Sequence, residues 1–269
     1  MYPFYPLLKA PNCEGFTVVH NYAPNNWEVR KNYKKYINIT WSDGSCWHTK
    51  IIGTLGQNKS FKIEEKALNF LPKNSLALSS LSINKLPLES DILPNDIDMQ
   101  TNLPEWRASI GLESKLGGST SFQGEGYAFP PNGSLLSFAP FLQHGKDLSS
   151  YLIFISIEKS PLFRNTSLFF LNTHGNKIKI KKPITSNHLN IIKLDGLDYD
   201  PTDLIILVTK NIVGIPLFVT TYKKGKELSL EHTHPPASFA IHGDRWGLHK
   251  ELKKIFTSKN QLKKEKSET

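Results

Sequence analysis

Apolar residues along this chain come in short bursts, and within most bursts they alternate with polar ones. Over 36–41 the order Tyr36-Ile37-Asn38-Ile39-Thr40-Trp41 has a period of two, the spacing of a strand with one buried face. Ser42-Asp43-Gly44-Ser45 then supplies hairpin-turn chemistry before a second alternating run, Trp47-His48-Thr49-Lys50-Ile51-Ile52. Further strands are predicted over 15–21, 59–64 and 75–83, and later over 151–157, 167–171, 177–181, 189–194, 204–210, 217–222 and 238–242. The run Tyr151-Leu152-Ile153-Phe154-Ile155-Ser156-Ile157 is nearly continuous in its apolar character. Glycine and proline punctuate the gaps, and residues 86–104 read as a long loop.

Helical signals are few. Residues 249–256 carry Leu252 and Phe256 on one face, which predicts a short C-terminal helix. A second helix is an option over 63–71, where Glu64, Glu65, Lys66, Ala67 and Leu68 are good helix formers.

The order of motifs repeats. Phe4-Tyr5-Pro6-Leu7-Leu8 is answered by Phe138-Ala139-Pro140-Phe141-Leu142, and Trp41-Ser42-Asp43-Gly44 by Asn172-Thr173-His174-Gly175. Pro87 is answered by Pro216, and Ala108-Ser109-Ile110 by Ala237-Ser238-Phe239. Such ordered matches predict two copies of one module. The expected fold class is all-β: two tandem related antiparallel β-sandwich (or barrel-like) modules with a short C-terminal helix. The modules would span 1–126 and 133–257, joined through the proline-bearing stretch 127–132 and followed by a basic flexible tail at 258–269.

Composition adds limits. A hydrophobic share of 39% against 21% charged residues suits a cored globular chain. No run of about 18 apolar residues exists, so no membrane-spanning helix is expected. The N-terminus has no basic start followed by an apolar middle, and the two cysteines, Cys13 and Cys46, read as reduced thiols; the expectation is a cytoplasmic protein. Net charge is +9, but from Lys250 onward seven lysines face three acids, so much of the excess sits in the tail. Lys177-Ile178-Lys179-Ile180-Lys181-Lys182 reads as a strand kept soluble by its lysines. Without a nucleic-acid-binding motif, specific nucleic-acid binding is not expected.

Candidate chemistry falls in two clusters. Trp106, Arg107, Glu113, Gln123 and Glu125, with Arg245, offer planar hydrogen-bonding groups and an aromatic face, a combination suited to a sugar ligand. Their plainer reading is an Arg–Glu pair beside a core tryptophan. His232 and His234 share a face in an extended segment, and His242 or Asp244 could complete a divalent-metal site. Pro235-Pro236 would break that strand at once, and no acid lies in 235–241, so a cupin-type metal site is poorly matched. The plainer reading of the two histidines is hydrogen bonding at a strand end.

Cys46 and His48, two apart on a strand, would stand about 6–7 Å from each other, too far for a thiolate–imidazole pair. Neither the glycine-bearing loop Lys115-Leu116-Gly117-Gly118-Ser119 nor Gly124-Glu125-Gly126 matches a nucleotide-binding fingerprint. The expected function is a non-enzymatic binding or accessory protein holding a carbohydrate or protein partner at the cleft between two β modules, with no resident cofactor. The alternatives are a metal-dependent enzyme activating water at the histidine cluster, and a structural subunit of an assembly.

Overall fold

A computed structural model describes residues 2–22, 34–99, 108–131, 133, 135–138, 145–172, 177–194 and 205–232. In the first half, β1 (Tyr5–Pro6), β2 (Cys13–Asn21), β3 (Lys34–Ser42), β4 (Trp47–Gly56), β5 (Lys59–Glu64), β6 (Leu78–Ser82), β7 (Glu89–Ser90), β8 (Ala108–Ser114) and β9 (Ser119–Gly124) make two sheets. Their orders are β1-β6-β3-β4-β7 and β5-β2-β8-β9. In the second half, β10 (Leu136–Phe138), β11 (Leu148–Ile155), β12 (Asn165–Asn172), β13 (Lys177–Thr185), β14 (Asn190–Lys193), β15 (Ile205–Thr209), β16 (Ile215–Tyr222) and β17 (Glu227–His232) make two more. These run β10-β15-β12-β13 and β14-β11-β16-β17.

The chain is thus all-β, with four small antiparallel sheets arranged like a propeller. Its connectivity is not that of propeller blades, which are radial repeats of one sheet each. Here the chain alternates between two sheets within each half, and the strand order of one half maps onto the other. Replacing β1 to β6, β8 and β9 by β10 to β15, β16 and β17 converts one pair of sheets into the other; only β7 lacks a counterpart among the described strands. In this mapping β8 corresponds to β16. The sequence match of Ala108-Ser109-Ile110 to Ala237-Ser238-Phe239 therefore pairs β8 with residues beyond its topological counterpart.

Two apolar cores divide the sheets. One gathers Val19, Ile37, Ile39, Leu78, Ile110 and Leu112 from the first half. The other gathers Leu168, Phe170, Ile184 and Leu207 from the second. The sheet built on β11 serves both: Leu152, Phe154 and Phe218 face the second core, while Ile153, Ile155, Leu217 and Val219 face the first. Burial on both faces is the reason β11 reads as a continuous apolar run. In β8 only Ala108, Ile110 and Leu112 point inward, and Ser109, Gly111 and Glu113 lie on the opposite, outer face.

Local chemistry explains several departures from the sequence pattern. The optional helix over 63–71 does not form; Ile63 is buried in β5 opposite Thr17, and only one 3₁₀ turn, Glu65–Ala67, follows. The loop over 86–99 is pinned rather than loose. Buried Asp96 accepts from the backbone N–H groups of Ile83 (2.6 Å) and Asn84 (2.9 Å), from the Asn84 side chain (3.0 Å) and from Asp98 N–H (3.1 Å). Burial opposes its charge, but those donors hold its carboxyl below the usual range. The C-terminal helix over 249–256 and the strand over 238–242 lie outside the described residues. Among the described residues, no helix is long and apolar enough to cross a membrane.

Candidate functional site

An opening lies where the halves meet. It encloses ≈530 Å³ and is walled by four chain segments. Residues 9–14, from the β1–β2 connection into the start of β2, form one wall; residues 114–116, at the β8–β9 turn, form another; Ile191 on β14 and Lys224 at the β16–β17 turn close it.

Each wall follows from its sequence. Pro11 and Asn12 occupy the centre of a tight turn closed by Cys13 N–H to the Ala10 carbonyl at 3.0 Å. Proline fixes its own φ, and Asn12 tolerates the φ of 62° that the turn imposes. In the β8–β9 turn, Gly117 takes a φ of 97° and Leu116 N–H donates to Ser114 Oγ at 3.1 Å. The β16–β17 turn holds Lys223, Lys224 and Gly225 at positive φ. These two turns join corresponding strand pairs in the two halves, and they rest on one another. A Cβ placed on Gly118 would come 2.4 Å from the Gly225 carbonyl oxygen, and one on Gly225 would come 2.4 Å from Ser114 Oγ.

The cleft has basic corners and an apolar floor. Lys9 pairs with Glu65 at 2.5 Å, Lys115 stands 3.9 Å from Glu14, and Lys224 has no ion pair among the described residues. Ala10, Pro11, Ile191 and exposed Leu116 supply apolar surface. Cys13 also lines it and is nearly buried, and that burial pushes the thiol pKa up. Among the described residues, no aromatic ring lines the opening.

Of the sugar-site residues, the described ones, Glu113, Gln123 and Glu125, do not line it. Glu113 is on the outer face of its sheet, gripped by Lys62 Nζ at 2.7 and 2.8 Å, and Gln123 is exposed on the adjacent strand. Glu125 follows β9 on the side of the N-terminal segment. After burial itself, its charge is the next influence raising the phenol pKa of Tyr5. Trp106, Arg107 and Arg245 lie outside the described residues. So do His234, His242 and Asp244, while His232 ends β17 opposite Leu217. Among the described residues no group of three or more metal-ligating side chains converges. The cleft lysines were missed in sequence because their turns match no ligand-binding motif; the shared lysine–glycine composition of 115–118 and 223–226 was the available signal.

A second polar cluster sits on β4. His48 Nε2 is 2.8 Å from Asp43 Oδ2, and its Nδ1 is 3.6 Å from Glu89 Oε1. The ring stacks on Trp41 with centroids 5.5 Å apart. Asp43 also accepts from Ser45 and Cys46 N–H, both at 2.8 Å. The His48 hydrogen bond, then these donors, holds its carboxyl far below the usual range. Both imidazole nitrogens face carboxylates, and the Cys46 thiol points to the carbonyls of Trp47 and Ser90. The cluster ties the β3–β4 turn to β7 and leaves no base–nucleophile pair.

Comparison with protein families, with characterised proteins and with solved structures finds no match to this chain.

Proposed function

We propose that the chain is a non-enzymatic binding protein whose ligand sits in the cleft between its two halves, and that the halves are copies of one two-sheet module. The matching strand orders support the duplication. The observation that carries the binding reading is the ≈530 Å³ cleft walled by both halves, within the roughly 300–1,000 Å³ of small-ligand sites. Of the two ligand classes expected from sequence, a protein partner suits this cleft better than a carbohydrate, because its described lining offers no aromatic face for a sugar ring to stack on. The test is a chemical-shift perturbation screen with small fragments bearing acidic, basic and neutral heads. Shifts that converge on Ala10, Cys13, Ser114, Ile191 and Lys224 support the reading. Shifts elsewhere, or none, overturn it.

A second reading, a subunit of a larger assembly, is favoured by exposed apolar residues around β7. Leu88 is 70% exposed, Ile92 61% and Leu162 58%. Sedimentation over a wide concentration range tests it: self-association lost in a Leu88→Asp/Ile92→Asp variant supports it, and a monomer throughout removes self-assembly.

A further inference from the structure

We infer that the cleft takes an acidic peptide segment of a protein partner; this rests on the reading that the cleft is the ligand site. Charge complementarity carries the argument. Among the described residues, Lys9, Lys115 and Lys224 line the cleft against one lining acid, Glu14; Lys9 is held by Glu65 outside the lining, and Lys224 has no ion pair. Lys115 and Glu14 are 3.9 Å apart, beyond hydrogen-bond distance, so among the described residues this pair leaves their donor and acceptor capacities available to a ligand. The net charge of +9 draws an acidic partner from a distance and speeds encounter.

Between the lysines the surface is apolar, with Leu116 on the lip and Ile191 on the floor. A segment alternating acidic and apolar side chains satisfies both features. Sugars and single-stranded nucleic acid need aromatic stacking planes, which the described lining lacks. A bare phosphate would leave the apolar surface uncovered.

The test uses fluorescence anisotropy on the full chain with a fluorescein-labelled peptide of alternating leucine and glutamate. A leucine–lysine peptide of equal length, a heparin fragment and a thymidine oligonucleotide serve as comparators. The acidic peptide should bind best and weaken with salt. Lys115→Glu and Lys224→Glu should each cost about tenfold in affinity, in the range of a partly exposed charge contact. Lys210→Glu, remote from the cleft, should change nothing, and thermal melts of all three variants should match the parent. Equal binding of the leucine–lysine peptide, tighter binding of heparin or the oligonucleotide, or an unchanged affinity in both Lys115→Glu and Lys224→Glu overturns the inference. Where the peptide fails yet fragments still shift the cleft amides, only the acidic-peptide class falls; where neither registers, the cleft reading falls with it.

Discussion

Gly225 and Ser114 meet where the two halves touch, so closely that a single added methyl group would collide. The Cβ of an alanine at 225 would stand 2.4 Å from Ser114 Oγ and 2.9 Å from its Cβ, and the backbone there has a φ of 109°. Gly225→Ala should therefore destabilise the chain by about 1–3 kcal/mol, through overpacking and through a backbone conformation that alanine resists. Ser114→Gly in the same background should restore the steric part and leave the backbone part. Urea denaturation of the four members of the cycle separates the two. A fully additive cycle would show that the turns do not press together.

The double-sided burial of β11 makes its two faces equally sensitive. Leu152 faces the second core and Ile153 the first, and both are fully buried. Leu152→Ala and Ile153→Ala should each cost about 2–5 kcal/mol, the range for large-to-small core changes. A sheet with one wet face would lose that much from only one of them. Chemical denaturation decides between these outcomes.

Glu158 and Arg164 form a two-point pair at the connection between β11 and β12, with Arg164 Nε donating to Oε2 at 2.7 Å and Nη2 to Oε1. Glu158 is only 6% exposed, and its backbone N–H donates to Asn187 Oδ1 at 2.8 Å. Arg164→Met leaves a buried carboxylate without its cation and should cost about 3 kcal/mol. Arg164→Met with Glu158→Gln should recover much of that loss. A double variant as weak as the single one would place the cost in lost packing instead of unpaired charge.

Acid sensitivity should centre partly on Asp43. Its pKa is lower in the folded state than the ordinary 3.8, first through His48 and then through the Ser45 and Cys46 donors. The unfolded chain therefore takes up a proton there before the folded one does. The stabilisation is complete above the unfolded pKa and is lost as pH falls below about 3.8 towards the folded value. Asp43→Asn should lower stability at neutral pH and flatten its decline in acid. Urea midpoints across the acid range test this, and a variant that tracks the parent curve at every pH contradicts it.

The sequence by itself determined the strands whose faces differ. Lys59–Glu64 is predicted and observed with the same limits, and the alternation in β3 and the Asp43-Gly44 turn place the β3–β4 hairpin. These signals are local, since alternation and turn chemistry are read within one segment, even though the polar face of β3, with Asn38 and Thr40, is itself buried. The hairpin β8–β9 was hidden because its outward Ser109, Gly111, Ser119 and Ser121 dilute the apolar pattern to small and polar residues. Helix-forming residues at 64–68 were overridden by the ladder that holds Ile63 against Thr17.

Only the tertiary structure decided which sheet each strand joins, because pairing β2 with β8, or β11 with β16, spans long stretches of chain and leaves no mark on local spacing. The cleft belongs to the same class. Lys9, Lys115 and Lys224 are distant in sequence and unremarkable in their own turns. They share one opening because corresponding turns of the two halves come to rest on each other, where Gly118 and Gly225 allow the backbones to close.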